Sequence, residues 1–183
     1  SIENKIIGAL FFTLGLFTIV TMKFNLFTGK VAYVFDNKPS YILDVLIIWV
    51  GNFVGTFLTA AAVNLTRIAD ISERAAAMCE TKLGDSPLSI FILALFCNVM
   101  IFIAVDGFAN NPHQVGKYLA LFFGVAGFIV CGYEHCVANM FYISVANMWS
   151  AKAFLYLGIM TLGNTVGAWI LPLARKLTAK YQK

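Results

Sequence analysis

Long uncharged windows alternate with short polar connectors along this chain. Ile6 to Met22, Val45 to Thr66, Ser86 to Val105 and Ala153 to Ala174 contain no Asp, Glu, Lys or Arg. Each has about the ~20 residues that a helix needs to cross a bilayer core. A fifth apolar stretch, Tyr118 to Ala151, is interrupted only by Glu134 and His135. It is too long for one span and too short for two with an ordinary loop, so it reads as a span, a break and a second short helix. Asp36-Asn37-Lys38-Pro39-Ser40 and Asn110-Asn111-Pro112 read as turns, and Asp85-Ser86-Pro87 places Pro at a helix start. Arg67 to Asp85 is the one long connector of mixed charge, with room for a helix around Ala75-Ala76-Ala77.

The composition requires lipid as part of the solvent. Hydrophobic residues make up 60% of the chain and charged ones 12%, against about half and a quarter in soluble domains. The net charge of +4 carries no basic run interleaved with aromatics, so no nucleic-acid partner is expected and membrane lipid is. The cysteines, Cys79, Cys97, Cys131 and Cys136, form no CxxC pair and share no ligand spacing with His113 or His135. They read as packed thiols rather than a metal site or a disulfide frame. No metal or other cofactor is expected.

Charge sets an orientation. One side would hold Lys30, Lys38, Lys117, Arg175, Lys176, Lys180 and Lys183 against Asp36, Asp44 and Asp106. On the other, Lys5, Arg67, Arg74, Lys82 and Lys152 are matched by Glu3, Asp70, Glu73, Glu80 and Asp85. The positive-inside rule makes the first side cytoplasmic, with Ser1 starting outside and the C-terminus inside.

An internal repeat divides the chain. Asn25-Leu26-Phe27 returns as Asn139-Met140-Phe141, and Gly51-Asn52-Phe53-Val54-Gly55 returns as Gly163-Asn164-Thr165-Val166-Gly167. Each half reads as a span, a break, a short helix and a span carrying the Gly-Asn-x-Val-Gly segment. The halves, 1–66 and 86–174 of a single domain 1–183, would lie upside down to each other, as in channels and transporters built from inverted repeats. The second half has a span ahead of its broken helix and the first has none, so a further helix is expected ahead of Ser1.

The chemistry concentrates in Gly132-Tyr133-Glu134-His135-Cys136-Val137-Ala138-Asn139-Met140-Phe141. Ionisable residues at membrane depth are costly and point to function. A break there is tolerated only where its backbone faces protein or a cavity. Glu134 is placed to satisfy freed amides or a neighbouring helix. An unperturbed imidazole exchanges protons near neutral pH, with a pKa of about 6.5.

The decapeptide, Asn25-Leu26-Phe27-Thr28 and both Gly-Asn-x-Val-Gly segments together resemble the formate/nitrite transporter family, most nearly its hydrosulfide channel branch. The resemblance covers essentially the whole chain. It implies an all-α, aquaporin-like inverted repeat of three plus three helices with two broken helices, assembled as a homo-pentamer in the bacterial cytoplasmic membrane. The helix expected ahead of Ser1 would be the family's first. The resemblance implies a channel for small monovalent anions of weak acids, hydrosulfide foremost and formate or nitrite besides, and no enzyme. It places His135 at the pore centre, Thr28 on the loop that breaks the second family helix, and Asn98 along the pore. It gives Phe12, Leu16 and Phe128 to an outer constriction, Leu26 to an inner one, and Lys82 to the outer vestibule. Glu134, Asn139 and Asn25 would support the breaks. Departures from the family pattern are Gly29-Lys30 after Thr28, Cys136 after the histidine, and Lys23, which has no family role.

Four other readings stand beside this one. A proton-coupled anion transporter of the same family would use the same residues. An aquaporin or glycerol facilitator would carry Asn-Pro-Ala boxes and a selectivity arginine, and the breaks here hold neither Pro nor Arg. A redox subunit would need paired ligands on facing helices, and a purely structural scaffold would need no His and Glu at a break.

Overall fold

The structure is a computed structural model; it describes residues 2–68 and 70–181, with side chains from 5–68 and 70–179. Ser1, Lys183 and the side chains of Glu3 and Lys180, all used in the charge comparison above, lie outside the described residues. The described residues are almost entirely helical, in the order α1 (Ile2–Thr21), α2 (Phe27–Lys30) continued by a 3-10 turn (Val31–Asp36), α3 (Tyr41–Asn64), α4 (Asp70–Gly84), α5 (Pro87–Asn110), α6 (Gln114–Val130), α7 (Cys136–Val145) and α8 (Ala151–Tyr181).

Helices α3, α5 and most of α8 are long and apolar enough to cross a membrane. The α1 and α6 helices are shorter because each stops at a break and resumes as α2 or α7. Helix α8 would be about 46 Å long at 1.5 Å per residue, well beyond a ~30 Å hydrocarbon core. Its last turns carry Arg175 and Lys176 out to Asp106 and Asp36, at 3.1 and 2.6 Å. The mixed-charge connector forms α4, as its Ala-rich centre predicted. At the start of α5, the Ser86 side chain accepts the Ser89 amide at 3.2 Å and Pro87 occupies the first turn, where a missing N–H costs nothing.

Helix α5 forms the spine, packed along α8 and α6, while α1 lies on α6 and both α3 and α4 lie on α7. The contact with α8 depends on glycine: a Cβ on Gly163 would meet Phe91 O at 2.6 Å and Ala94 Cβ at 2.7 Å, and one on Gly167 would run into Leu95 O. The distribution of polarity is that of a protein in lipid. Thr28, Asn98, Glu134, His135, Asn139, Ser144 and Asn164 are buried, whereas Phe11, Leu43, Ile47 and Leu155 are exposed. Water would strip such an exterior into aggregates, while hydrocarbon solvates it.

Candidate functional site: two helix breaks joined at Thr28 and His135

Both breaks have one geometry. Helix α1 ends with Lys23 in the left-handed region (φ 58°), and α6 ends with Gly132 there (φ 71°). The next amide reaches back five residues in each case, Phe24 N–H to Ile19 O at 2.9 Å and Tyr133 N–H to Phe128 O at 3.0 Å. These are Schellman caps, which satisfy carbonyls left over at a helix end. Glycine takes that conformation freely, whereas a residue with a Cβ gives up about 1 kcal/mol. The chain then runs extended through Leu26 (φ −113°, ψ 127°) and His135 (φ −106°, ψ 114°), each of which caps the helix that follows.

One asparagine clamps each break. Asn52 Oδ1 accepts the Phe27 amide at 2.9 Å, and its Nδ2 donates to Asn25 O at 3.1 Å. Asn164 Oδ1 accepts the Cys136 amide at 2.8 Å, and its Nδ2 donates to Glu134 O at 2.9 Å and to Ala94 O at 2.7 Å. An unwound segment loses its intrahelical partners, and here a side-chain amide replaces them on both its donor and acceptor sides. The Gly-Asn-x-Val-Gly echo is therefore the echo of a clamp. The other echo is corrected: Asn139 and Met140 lie inside α7, and the second break is at Cys131–His135. The residue equivalent to Leu26 is His135, and the one equivalent to Asn25 is Glu134. Thr28 is likewise helical, in the first turn of α2 rather than in the broken loop.

The two breaks meet through one hydrogen bond. Thr28 Oγ1 and His135 Nε2 are 2.9 Å apart, with the two residues 0% and 3% exposed. The tautomer follows from the other ring nitrogen. The Ala138 amide donates to His135 Nδ1 at 3.1 Å, so a neutral ring carries its proton on Nε2 and donates it to Thr28. The hydroxyl proton of Thr28 is then free to donate elsewhere. A second ring proton would go to Nδ1, and the Ala138 amide would lose its acceptor.

The other expected residues gather around this bond. Asn98 Nδ2 donates to Thr28 O at 3.1 Å, and its buried Oδ1 has no hydrogen-bond partner among the described residues. The Phe128 ring stacks on the imidazole at 5.7 Å between centroids, and Phe12 meets both rings edge-on, at 5.4 Å from Phe128 and 6.1 Å from His135. Lys82 is not a solvated loop charge. It is held on α4 with its Nζ 2.6 Å from Glu134 Oε2, an oxygen that also accepts Asn139 Nδ2 at 2.8 Å. Glu134 thus braces the second break against α4 and α7. Asn25 contributes its backbone carbonyl to the first clamp. Of the cysteines expected to pack, Cys79, Cys97 and Cys136 are buried and Cys131 is exposed.

Two cavities flank the breaks. One, of about 410 Å³, is lined by His135, Phe12, Ala138 and Phe141, and the other, of about 500 Å³, by Lys23, Lys30, Tyr33 and Asn110. Leu16, Ile19 and Leu26 belong to both and form the wall between them. Leu16 and Leu26, assigned above to different constrictions, stand on this common wall. Sequence reasoning did not single out Ile19 as lining a path, or Asn52 and Asn164 as clamps.

Comparison with known proteins places this arrangement. The sequence signature described as Formate/nitrite transporter matches residues 2–175. The uncharacterized transporter YrhG of Bacillus subtilis is 28% identical over 90% of this chain and 63% of its own length. The formate channel FocA of Haemophilus influenzae is 28% identical over 76% of this chain and 53% of its own. The formate channel BtFdhC of Bacillus thuringiensis is 30% identical over 76% and 58%. The chain thus spans between about half and two thirds of the length of these relatives. Among solved structures, a pentameric formate channel with formate bound superposes with a TM-score of 0.77 at 23% identity, covering 100% of this chain and 85% of that one. An ion channel of the same family gives 0.80 at 21% identity over 95% and 77%. These two likenesses establish the all-helical fold, and the signature across residues 2–175 establishes the lineage: the chain belongs to the formate/nitrite transporter family.

Proposed function

We propose that this protein is a membrane channel for small monovalent anions of weak acids, with hydrosulfide as the preferred solute and formate and nitrite as others of the class. The supporting observation is the buried hydrogen bond of 2.9 Å between Thr28 and His135, where two helix breaks meet between apolar walls. Moving a bare anion past Leu16, Leu26 and Phe12 would cost tens of kcal/mol by Born solvation. A weak acid avoids most of that barrier by crossing as its neutral form. The neutral acid still needs polar partners where it leaves water, and the site offers two kinds. The Thr28 hydroxyl, fed by His135 Nε2–H, donates; Asn98 Oδ1, buried without a partner, accepts. One donor and one acceptor match a solute such as hydrogen sulfide or formic acid, which has a lone pair and an acidic proton to place.

In this reading His135 acts as a fixed polar contact, because its Nδ1 is occupied by the Ala138 amide. The proton is gained and lost in the aqueous mouths. Phe12 and Phe128 form the outer constriction, and Leu16 and Leu26, on the common wall, form the inner one. A homo-pentamer in the bacterial cytoplasmic membrane, with the C-terminus inside, completes the proposal. It draws on the assembly of the formate channel whose fold this chain shares and on the basic residues of α8.

Stopped-flow measurements on proteoliposomes at two pH values test it, with hydrosulfide, formate and nitrite in parallel. Flux above that of empty liposomes, altered in size by His135→Phe with the pH profile retained, is the expected result. Absence of flux for all three anions refutes a channel of this class. An unchanged flux in His135→Phe removes the imidazole from the path, and a shifted pH profile makes it a proton carrier rather than a fixed contact.

A further inference from the structure

The short helices that follow the two breaks are held in different ways. Helix α7 has ten residues, and at its end Val145 O accepts from Ser72 and Asn64, at 2.9 and 3.1 Å. Helix α2 has only four residues. A single turn orders its backbone for very few bonds and does not persist without tertiary support. Its head is clamped at the Phe27 amide by Asn52.

Its tail is gripped largely by α8. Beyond the head of α2, three carbonyls are taken by side chains: Tyr41 Oη donates to Lys30 O at 3.2 Å, Trp169 Nε1 to Val31 O at 3.0 Å, and Lys176 Nζ to Phe35 O at 2.8 Å. Trp169 also meets the Phe35 ring edge-on at 5.1 Å, and Lys176 Nζ lies 2.6 Å from Asp36 Oδ1. Two hydrogen bonds, an aromatic contact and an ion pair thus run from one helix to the 3-10 turn that continues α2. Arg175 faces the other way, pairing with Asp106 on α5 at 3.1 Å and lying over the Phe102 ring at 5.5 Å. Pro172, between Trp169 and Lys176, donates no N–H, so the ladder of α8 is one bond short there and the direction of its tail depends on these grips.

We propose that Trp169 and Lys176 are positioning residues for the solute path: by holding the 3-10 turn they fix α2, and with it the reach of Thr28 to His135 and of Leu26 across the common wall. The inference rests on the channel reading above and adds to it what keeps the first break in register with the second. Thr28 lies one helical turn before Val31, so a displaced 3-10 turn carries the hydroxyl with it. A hydrogen bond of 2.9 Å does not survive a shift of about 1 Å. The grip is also adjustable. Lys176 and Asp36 are both 44% exposed, so salt screens their pair and loosens the turn.

Formate and lactate fluxes are measured in proteoliposomes for the wild type, Trp169→Phe, Lys176→Met, and Lys176→Asp combined with Asp36→Lys. Trp169→Phe keeps a ring against Phe35 and removes only the donor to Val31 O. The preference for formate should fall about fivefold in each single variant, the equivalent of one lost hydrogen bond. The charge swap should recover most of it, and since it leaves the net charge of this mouth unchanged, attraction of anions does not account for the recovery. The nitrogen NMR signal of His135 Nε2 should move in the single variants and return in the swap, while Lys176→Met melts as the wild type does in detergent. Should Trp169→Phe fail to fold, the Lys176 series decides alone. An unchanged preference and an unmoved His135 signal overturn the positioning role and leave the channel reading intact, as does a loss that the swap fails to repair. A wild type that moves no anion defeats the channel reading, and the His135 signal then still decides whether α8 positions α2.

Discussion

Lys82 and Glu134 are 52 residues apart in sequence and 2.6 Å apart in space, one on α4 and the other in the break that carries His135. The pair is mostly shielded, with side chains 19% and 5% exposed. Its carboxylate also holds Asn139, so the helix outside the bundle and the helix below the break share one oxygen. Removing Lys82 alone strands a buried negative charge, whereas removing both charges does not. Lys82→Met should destabilise the protein by about 3 kcal/mol, and Lys82→Met with Glu134→Gln should recover most of that. Melting of the purified protein in detergent reads the difference.

The two clamps are unequal. Asn164 makes three hydrogen bonds at 0% exposure, whereas Asn52 makes two at a half-buried position. Asn164→Ala leaves the Cys136 amide and the Glu134 carbonyl without this partner in a dry setting, while Ala94 O stays within the helical ladder of α5; the loss is about 2 kcal/mol or more for the amide alone. Asn52→Ala should cost less. Amide exchange at Cys136 and at Phe27, compared between the two variants, reports how far each break loosens.

Close approach of α8 and α5 gives a steric prediction. Gly163→Ala pushes a methyl into Phe91 O and Ala94 Cβ, both under 3 Å away, while Gly51→Ala meets nothing within 4 Å. Overpacking of this kind costs about 1–3 kcal/mol. The melting temperature should therefore fall for Gly163→Ala and stay unchanged for Gly51→Ala.

Leu26→Ala tests the common wall. Leu26 is 9% exposed and lines both cavities, so truncation opens the wall between them. Flux of the preferred anion should rise, and discrimination against larger carboxylates should fall. Equal flux and unchanged selectivity would place the restriction elsewhere.

Acid acts at the surface as well. The Asp85 carboxyl is held below the ordinary carboxylate range, first by the Ser89 hydroxyl and then by the Ser86 amide, both at 2.6 Å. Because the folded value is lowered, this contribution is complete above the ordinary pKa near 3.9 and is lost as pH falls through the lowered value. The first turn of α5 should loosen under acid, and Asp85→Asn should show less of that dependence. Titration of the Asp85 carboxyl by NMR checks the direction.

Much of this was legible in the sequence, and the remainder was hidden for definite reasons. Uncharged windows found the spans because lipid tolerates no charge along a helix side. His135 and Thr28 were each singled out through family resemblance, but the bond between them, across 107 positions, left no trace in the sequence. The equivalence of the breaks escaped because Lys23, Asn25, Leu26 and Phe27 share no side chain with Gly132, Glu134, His135 and Cys136. The two segments share only dihedral angles and a distant asparagine, which letter matching does not detect. Asn52 and Asn164 stood in a visible repeat without a role, because a clamp is recognised only once its partner is known. Lys82 was assigned to the outer vestibule by resemblance, and its pairing with Glu134 escaped because a bond across 52 residues leaves no local trace.

The buried polar set has a consequence for how such a chain holds together. Within oil, excluding apolar surface no longer favours the native arrangement, since every competing arrangement is equally greasy. Cohesion then falls to a handful of amides, one shielded ion pair and a ridge without side chains. A molecule assembled in that way should fail abruptly, at a few positions, while tolerating wide change across its outer faces.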